Sequence, residues 1–453
     1  MNTQSARATL FPIPFRQVTD SDYKIFEQIT LDSECRNCDM SFANIFCWQD
    51  SYKSQIALWN GYLLIRFTTE RGSTAYMQPL GGEPSREVID ALAADAAQLG
   101  EPLRLFGLNE QWREALNALY PDHFAISHYD ANSDYIYLST DLATLAGRKY
   151  QPKRNFINRF VSRYSYRFEG ISAANIDHCR ALNSRWCDQR KELCDRGEQR
   201  ALHRAIDNFS TLPLEGWILY VDDIPCAFAI GSAVNHDTFC IHIEKVDTTF
   251  KGAGAMINNL VAVELQHRFK YINREDDLGI EGLRRAKQSY YPVELIKKYS
   301  ALQLSQTEQQ MQSLWSEVFG DAKQDIDDFF VKLYDPALAF THTADNQVVA
   351  MLHIVPLQRE TERIAYIYAV ATKEPYRRKG IASALLQSAL RTIERGGFHR
   401  AMLIPADQHS AKFYEQFGFS ATGELFNSSE FGIDYDLGTG NSEQDFVMER
   451  KIY

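Results

Sequence analysis

From Ser305 onward the apolar residues switch between helical and alternating spacing in a regular order. Ser305-Gln-Thr-Glu308 forms a capping box ahead of Met311, Leu314, Trp315 and Phe319, which recur on one helical face. A second helix is predicted around Asp325–Leu333, stopping before Tyr334-Asp-Pro336. Extended runs follow: ALAFTH, a turn at Ala344-Asp-Asn346, VVAMLHIVPL and AYIYAVAT. The stretch EPYRRKGIASALLQSALRTIERGG (374–397) then opens a helix that turns Leu385, Leu386, Ala389, Leu390 and Ile393 inward and stops at Gly396-Gly397. The strand AMLIP, the helix SAKFYEQFG and an extended segment ending in DFVMERKIY complete the pattern. The order αα, ββ, β-turn-α, βα predicts a mixed α/β unit, a central sheet flanked by helices.

The middle of the chain repeats part of this layout. The strand FCIHIEKV (239–246) runs through Phe250-Lys251-Gly252-Ala253-Gly254 into a helix carrying Met256, Ile257, Leu260, Val261 and Leu265. A strand at 271–273 and a helix containing Ala286-Lys287-Gln288-Ser289-Tyr290 follow, as Ala411-Lys412-Phe413-Tyr414 follows Gly380. The agreement in order and chemistry predicts a degenerate internal repeat. Counting back from Val246 as from Val370, alternation presents His242 and Glu244 as an acid/base pair on the middle strand.

Composition narrows the class without naming it. A chain of 453 residues exceeds one ordinary core, and 45% apolar with 24% charged residues is a globular composition. No apolar run is long enough to span a bilayer and the first residues lack a signal-peptide core, so a cytoplasmic protein with no integral membrane segment is expected. The net charge of −11 argues against general nucleic-acid binding. Eight cysteines are scattered; Cys35-Arg-Asn-Cys38 has zinc-knuckle spacing, but no second CxxC or HxxxH answers it. Reduced cysteines and no metal site are therefore expected.

Candidate chemistry concentrates at Arg377-Arg378-Lys379-Gly380. A glycine at a strand-to-helix junction lets backbone approach a ligand, and the unpaired first amides of a helix, at the positive end of its dipole, hold phosphate oxygens. A solvated basic cap gives the same local pattern. The wider pattern decides: Arg377-Arg378-Lys379-Gly380-Ile381-Ala382 resembles the R/Q-x-x-G-x-G/A motif of the GCN5-related N-acetyltransferases. Asp407-Gln-His-Ser-Ala-Lys-Phe413-Tyr414, then Gly418-Phe419, resembles that family's N-x-x-A-x-x-F-Y…G-F segment, with aspartate in place of asparagine. The resemblance covers about 305–453. It implies a splayed strand pair clasping the pantetheine arm of acetyl-CoA, with backbone at Val370 pairing to it. Amides of Arg378–Ala382 would hold the diphosphate, Arg377 would flank it and Asp407 would meet the arm. Tyr414 would protonate the leaving thiolate. The acceptor would be a small-molecule or peptide amine; no carboxylate on the strand around Tyr366–Val370 offers itself as base.

The segments 42–67, 153–171 and 271–301 resemble a family related to the C-terminal catalytic domain of phosphatidylglycerol lysyltransferases, over about 15–301. This implies tandem acyltransferase-like domains: lobes at 1–145 and 146–301, then an N-acetyltransferase domain at 302–453. Well-studied relatives move an aminoacyl group from tRNA to a lipid headgroup. In RKYQPKRNFINRFVSRYSYRF (148–168) seven basic residues interleave with aromatics, a pattern able to hold RNA phosphates or an anionic headgroup. Phe156, Ile157, Phe160, Val161 and Tyr164 also fall at helical spacing, which predicts a buried face behind a basic solvated one. Glu275-Asp276-Asp277 before Gly279 suits a cationic substrate, or a helix N-terminus. Three readings stand: acetyl-CoA-dependent acetylation by the C-terminal domain, tRNA-dependent transfer by the lobes, or lobes that recognise a partner.

Overall fold

A computed structural model describes residues 12–452 except 190, 192–193, 434 and 439–445. The chain divides into two compact units, residues 1–115 with 128–299, and residues 116–127 with 300–453. Among the described residues no helix is long and apolar enough to cross a membrane.

Unit one carries two mixed arrays of strands. In the first, β1 (Arg16–Gln17), β2 (Gln55–Trp59), β3 (Tyr62–Thr68), β4 (Thr74–Met77) and β5 (Arg104–Leu108) lie side by side in that order. Asn60 and Gly61, both left-handed, form the two-residue turn that sets Trp59 opposite Tyr62. The second array is a sheet of β7 (Asp134–Leu138), β8 (Tyr166–Gly170), β9 (Glu215–Val221), β10 (Ile224–Ala233), β11 (Thr238–Val246), β12 (Tyr271–Asn273) and β13 (Glu294–Ile296), in the order β13-β7-β12-β11-β10-β9-β8. Strand β7 thus belongs to the second sheet, which begins in sequence at Asp134, ahead of the 145/146 junction. One buried cluster joins Phe42, Ile45 and Phe46 of the first array to Leu182, Leu202 and Ile218 of the second, so the two share a core.

Unit two holds a six-stranded sheet of β15 (Ala339–Ala344), β16 (Gln347–Arg359), β17 (Glu362–Thr372), β18 (Arg400–Leu403), β19 (Ser420–Leu425) and β20 (Phe446–Lys451), ordered β15-β16-β17-β18-β20-β19. The Ser305–Glu308 capping box forms as predicted, and Met311, Leu314 and Trp315 are buried, while Phe319 stays 43% exposed. The predicted turn forms at Asp345-Asn346, again with two left-handed residues. The unit also takes in β6 (Phe124–His128) up to Ser127, next to β14 (Tyr299–Gln303). Ala125 lies in the unit's core with Leu304 and Trp315, and the Ile126 carbonyl accepts a hydrogen bond from Gln324 at 3.0 Å. The compact body therefore recruits a segment that a boundary at 302 leaves out.

The internal repeat is visible in the strand pairing. β9-β10-β11-β12 and β15-β16-β17-β18 have the same order, each with two antiparallel pairs and then a parallel one. The parallel pairs end at Cys240↔Asn273 and Tyr366↔Met402. His242 therefore corresponds to Tyr368 and Glu244 to Val370, two positions away from the sequence count.

Candidate functional site

Strand β17 leaves its parallel partner at Tyr366 but continues to Thr372. Beyond Tyr366 its backbone edge no longer pairs with β18, at the place where the resemblance implies a splay. Opposite β16, His353 pairs with Tyr368 and Met351 with Ala371, so Ala369 and Val370 face the single residue Leu352. Ala369 is left-handed at φ 50°. This is a β-bulge, which bends the strand and re-aims its edge.

The chain then turns through Arg378 (φ 60°) and Gly380 (φ 80°) into the helix Ile381–Arg395. Gly380 is the N-cap and gives no side-chain cap. By helix geometry the amides of Ile381, Ala382 and Ser383 have no intrahelical acceptor, and the dipole leaves them positive. A Cβ placed on Gly380 would meet nothing within 4 Å, so the mouth is open. Arg377 Nε donates to the Thr372 carbonyl at 2.9 Å, tying the loop to the strand, while Arg378 and Lys379 face solvent.

Tyr414 lies on the helix Gln408–Glu415 and is 8% exposed. It packs in one cluster with Val370 and Ile381, its ring 5.2 Å from Phe413 and 6.0 Å from Phe419. Burial pushes its phenol up to about 12. Asp407 is the exposed N-cap of the same helix and accepts from the Ser410 amide at 2.7 Å, a bond that lowers its pKa. Three predicted residues thus meet, and Asp407 starts the helix that carries one of them. A pair that sequence spacing does not reveal is Tyr368 and Tyr435, whose hydroxyls lie 3.5 Å apart. Burial raises Tyr368 to about 12, with the negative charge of Asp321, Asp325 and Asp436 adding to it. Only the fold brings residues 368 and 435 together.

The corresponding mouth in unit one is closed. Gly252 is left-handed (φ 96°) and caps the helix Ala253–Leu265, but a Cβ there would stand 2.7 Å from the Phe156 carbonyl and 3.1 Å from Phe160 Cβ. The helix Gln151–Arg163 fills the space. That helix also departs from its predicted face: Phe160 is buried, but Phe156 and Val161 are each 48% exposed. Phe160, with Ile157 and Tyr164 beside it, packs on the core, and Phe156 and Val161 face solvent beside Arg159 and Arg163.

His242 and Glu244 do not pair with each other. His242 Nδ1 lies 2.9 Å from Glu275 Oε1 and its Nε2 2.8 Å from Ser232 Oγ, while Glu244 holds Arg274 at 3.1 Å. Nearby, Lys298 Nζ is buried 2.8 Å from Asp134 and 2.9 Å from Asp39. Asp134 also accepts from the Cys38 amide at 2.8 Å and Asn273 at 2.9 Å. Burial works against its charge, but Lys298 and these donors prevail and lower its pKa. A fully buried ion pair of this kind persists only when its hydrogen bonds are complete. Glu275-Asp276-Asp277 is also no simple helix cap: Asp277 binds Arg284 at 2.9 Å and Tyr135 at 2.7 Å, and Glu275 faces His242. The cysteines depart from expectation too, since Cys187 and Cys194 are joined in a disulfide with Cα atoms 5.4 Å apart.

The family described as phosphatidylglycerol lysyltransferase, C-terminal, matches residues 32–302, more than half of the chain. The chain belongs to that family. The acetyltransferase (GNAT) family matches residues 304–419, so this family member carries a second acyltransferase domain and is an acyltransferase. A conserved protein of unknown function from Bacteroides thetaiotaomicron VPI-5482 is 40% identical, covering 65% of this chain and all of its own, with TM-score 0.62. The C-terminal domain of a putative lysylphosphatidylglycerol synthetase from Agrobacterium fabrum is 12% identical over 63% of this chain and 93% of its own, with TM-score 0.48. An uncharacterized protein of Mycoplasmoides gallisepticum is 24% identical over 48% of this chain and 75% of its own length.

Proposed function

We propose that this acyltransferase transfers the acetyl group of acetyl-CoA to an amine, through unit two. The observation that carries the reading is the contrast between two equivalent glycines: Gly380 opens onto free space, whereas Gly252 is covered by a helix. The open mouth, with Arg377, Arg378 and Lys379 around it, suits a diphosphate held by the amides of Arg378–Ala382. The bulged edge at Val370 suits the amide groups of a pantetheine arm, which would pair with it as an added strand.

The acetyl thioester supplies an activated carbonyl. The amine nitrogen forms the new C–N bond as the C–S bond breaks, and the nitrogen's proton leaves to water. Tyr414 donates its phenolic proton to the departing sulfur; at about 12 its phenol is fully protonated at neutral pH. Tyr368, raised to about 12, is by the same argument no base near neutrality. The acids around it favour a cationic amine that sheds its proton to solvent. Isothermal titration of the full chain with acetyl-CoA, followed by thiol release with a panel of amines, tests the reading. Saturable binding and amine-dependent thiol are expected; no binding would sink it.

A second reading has one observation in its favour. The exposed Phe156 and Val161 beside Arg159 and Arg163 form a basic, apolar surface able to meet tRNA or an anionic headgroup, and would move the chemistry to unit one. The net charge of −11 opposes it. No tight tRNA complex is expected at physiological salt. A micromolar, salt-dependent complex weakened by Arg159→Ala with Arg163→Ala would make unit one the transferase.

A further inference from the structure

Strand β11 brings Cys240 and His242 to one place, and the chain returns beside them just after β12 with Glu275. One ligand atom from each lies within 4.8 Å of the other two. His242 Nδ1 is 2.9 Å and Cys240 Sγ 3.8 Å from the same Glu275 oxygen. A tetrahedral zinc, with bonds of about 2.0–2.3 Å, separates its ligand atoms by about 3.3–3.8 Å. The triangle needs to adjust by only a few tenths of an ångström to about one ångström per edge to seat such an ion.

We propose that Cys240, His242 and Glu275 form a zinc-binding site in unit one, separate from the acyl-transfer site of unit two. The donor set is the first argument. Thiolate, imidazole and carboxylate together select zinc over calcium or magnesium, which take oxygen ligands. The second argument is the support behind the ligands. Ser232 Oγ lies 2.8 Å from His242 Nε2, and with zinc bound it would accept the Nε2–H and leave the Nδ1 lone pair to the ion. Asn44 Nδ2 donates to Glu275 Oε1 at 3.1 Å, and the Glu275 amide is tied to Asn273 Oδ1 at 2.6 Å. Asn44 thus orients the carboxylate and Asn273 fixes the backbone that carries it.

The same residues without a metal would form a Ser232–His242–Glu275 hydrogen-bond relay. Cys240 separates the two cases by its proton: in the relay its S–H donates weakly to Glu275 at 3.8 Å, whereas zinc binding would displace that proton and make the sulfur a ligand. Cys38 packs against Cys240 with Val234 and walls the thiol off on that side. Glu275 is the most accessible ligand, its side chain 27% exposed against 7% for His242. The fourth position opens on that side, so the ion carries one water or substrate oxygen rather than a closed set of protein ligands.

The test uses the full chain, stripped with a chelator, reloaded with zinc and desalted. Mass-spectrometric metal analysis is expected to find about one zinc per chain, the stoichiometry of a single three-ligand site. Cobalt(II) in its place should give a thiolate-to-metal charge-transfer band. Cys240→Ser should abolish that band and His242→Gln should lose the metal. Ser232→Ala should weaken zinc binding about 10–100-fold with the fold intact, as loss of an orienting partner does. Cys47→Ser, buried elsewhere in unit one, should change nothing. Failure of the wild-type chain to retain zinc and to show the cobalt band overturns the proposal, even if the ligand variants do not fold. Zinc retained by both Cys240→Ser and His242→Gln also overturns it.

Discussion

Gly380→Glu is expected to abolish acetyl-CoA binding while leaving unit two folded. Gly380 sits at φ 80°, where a side chain costs about 1–2 kcal/mol. Its added Cβ would meet no atom within 4 Å, so no clash with the protein adds to that strain. Domains are stable by about 5–15 kcal/mol, and the strain alone does not unfold one. The carboxylate, by contrast, enters the space where a diphosphate meets the free amides of Ile381–Ser383. Like charges brought together in a binding site cost several kcal/mol, which is more than about 100-fold in affinity. Gly380→Ala separates the effects, since it carries the strain without the charge and should lose far less. Calorimetric titration reads both, with thermal melting as the check on folding. Wild-type affinity in Gly380→Glu would remove the cofactor assignment.

Local spacing in the sequence governs what can be read from it. The Ser305–Glu308 box, the turn at Asp345-Asn346 and the inward face of Leu385, Leu386, Ala389, Leu390 and Ile393 are each set by residues a few positions apart, and each forms as read. The glycine mouth is legible for the same reason. What fails depends on distant partners. Alternation along one strand assigns His242 to Glu244, but the parallel register with β12 places it beside Glu275, which arrives from a different element. Helical period turns Phe156 and Val161 inward because it gives a face but not its width; the core takes Phe160 with Ile157 and Tyr164 beside it and leaves those two positions exposed. The segment 116–127 gives no sign of its place, since the contact of Ile126 with Gln324 crosses nearly two hundred residues. Closed and open mouths look alike in sequence too, because the helix that covers Gly252 lies about a hundred residues before it.

Tyr414→Phe is expected to lower kcat by about 10²–10⁴-fold with acetyl-CoA affinity nearly unchanged. The ring is 8% exposed and packed against Phe413 and Phe419, and phenylalanine keeps that volume. Only the hydroxyl is lost. Burial, which raises the phenol to about 12, suits it to act as a general acid, because the proton stays on the oxygen until a thiolate develops nearby. A fall in kcat at constant KM marks an interaction made in the transition state, whereas a raised KM at constant kcat would make the hydroxyl a ground-state contact with the cofactor. The substitution is also a test of where the reaction occurs. If unit one performs the transfer, Tyr414→Phe leaves the rate unchanged, because no step then passes through the helix Gln408–Glu415. An effect below about tenfold is too small for a general acid. It would return Tyr414 to the apolar face it shares with Phe413 and leave the leaving thiolate to be protonated by solvent.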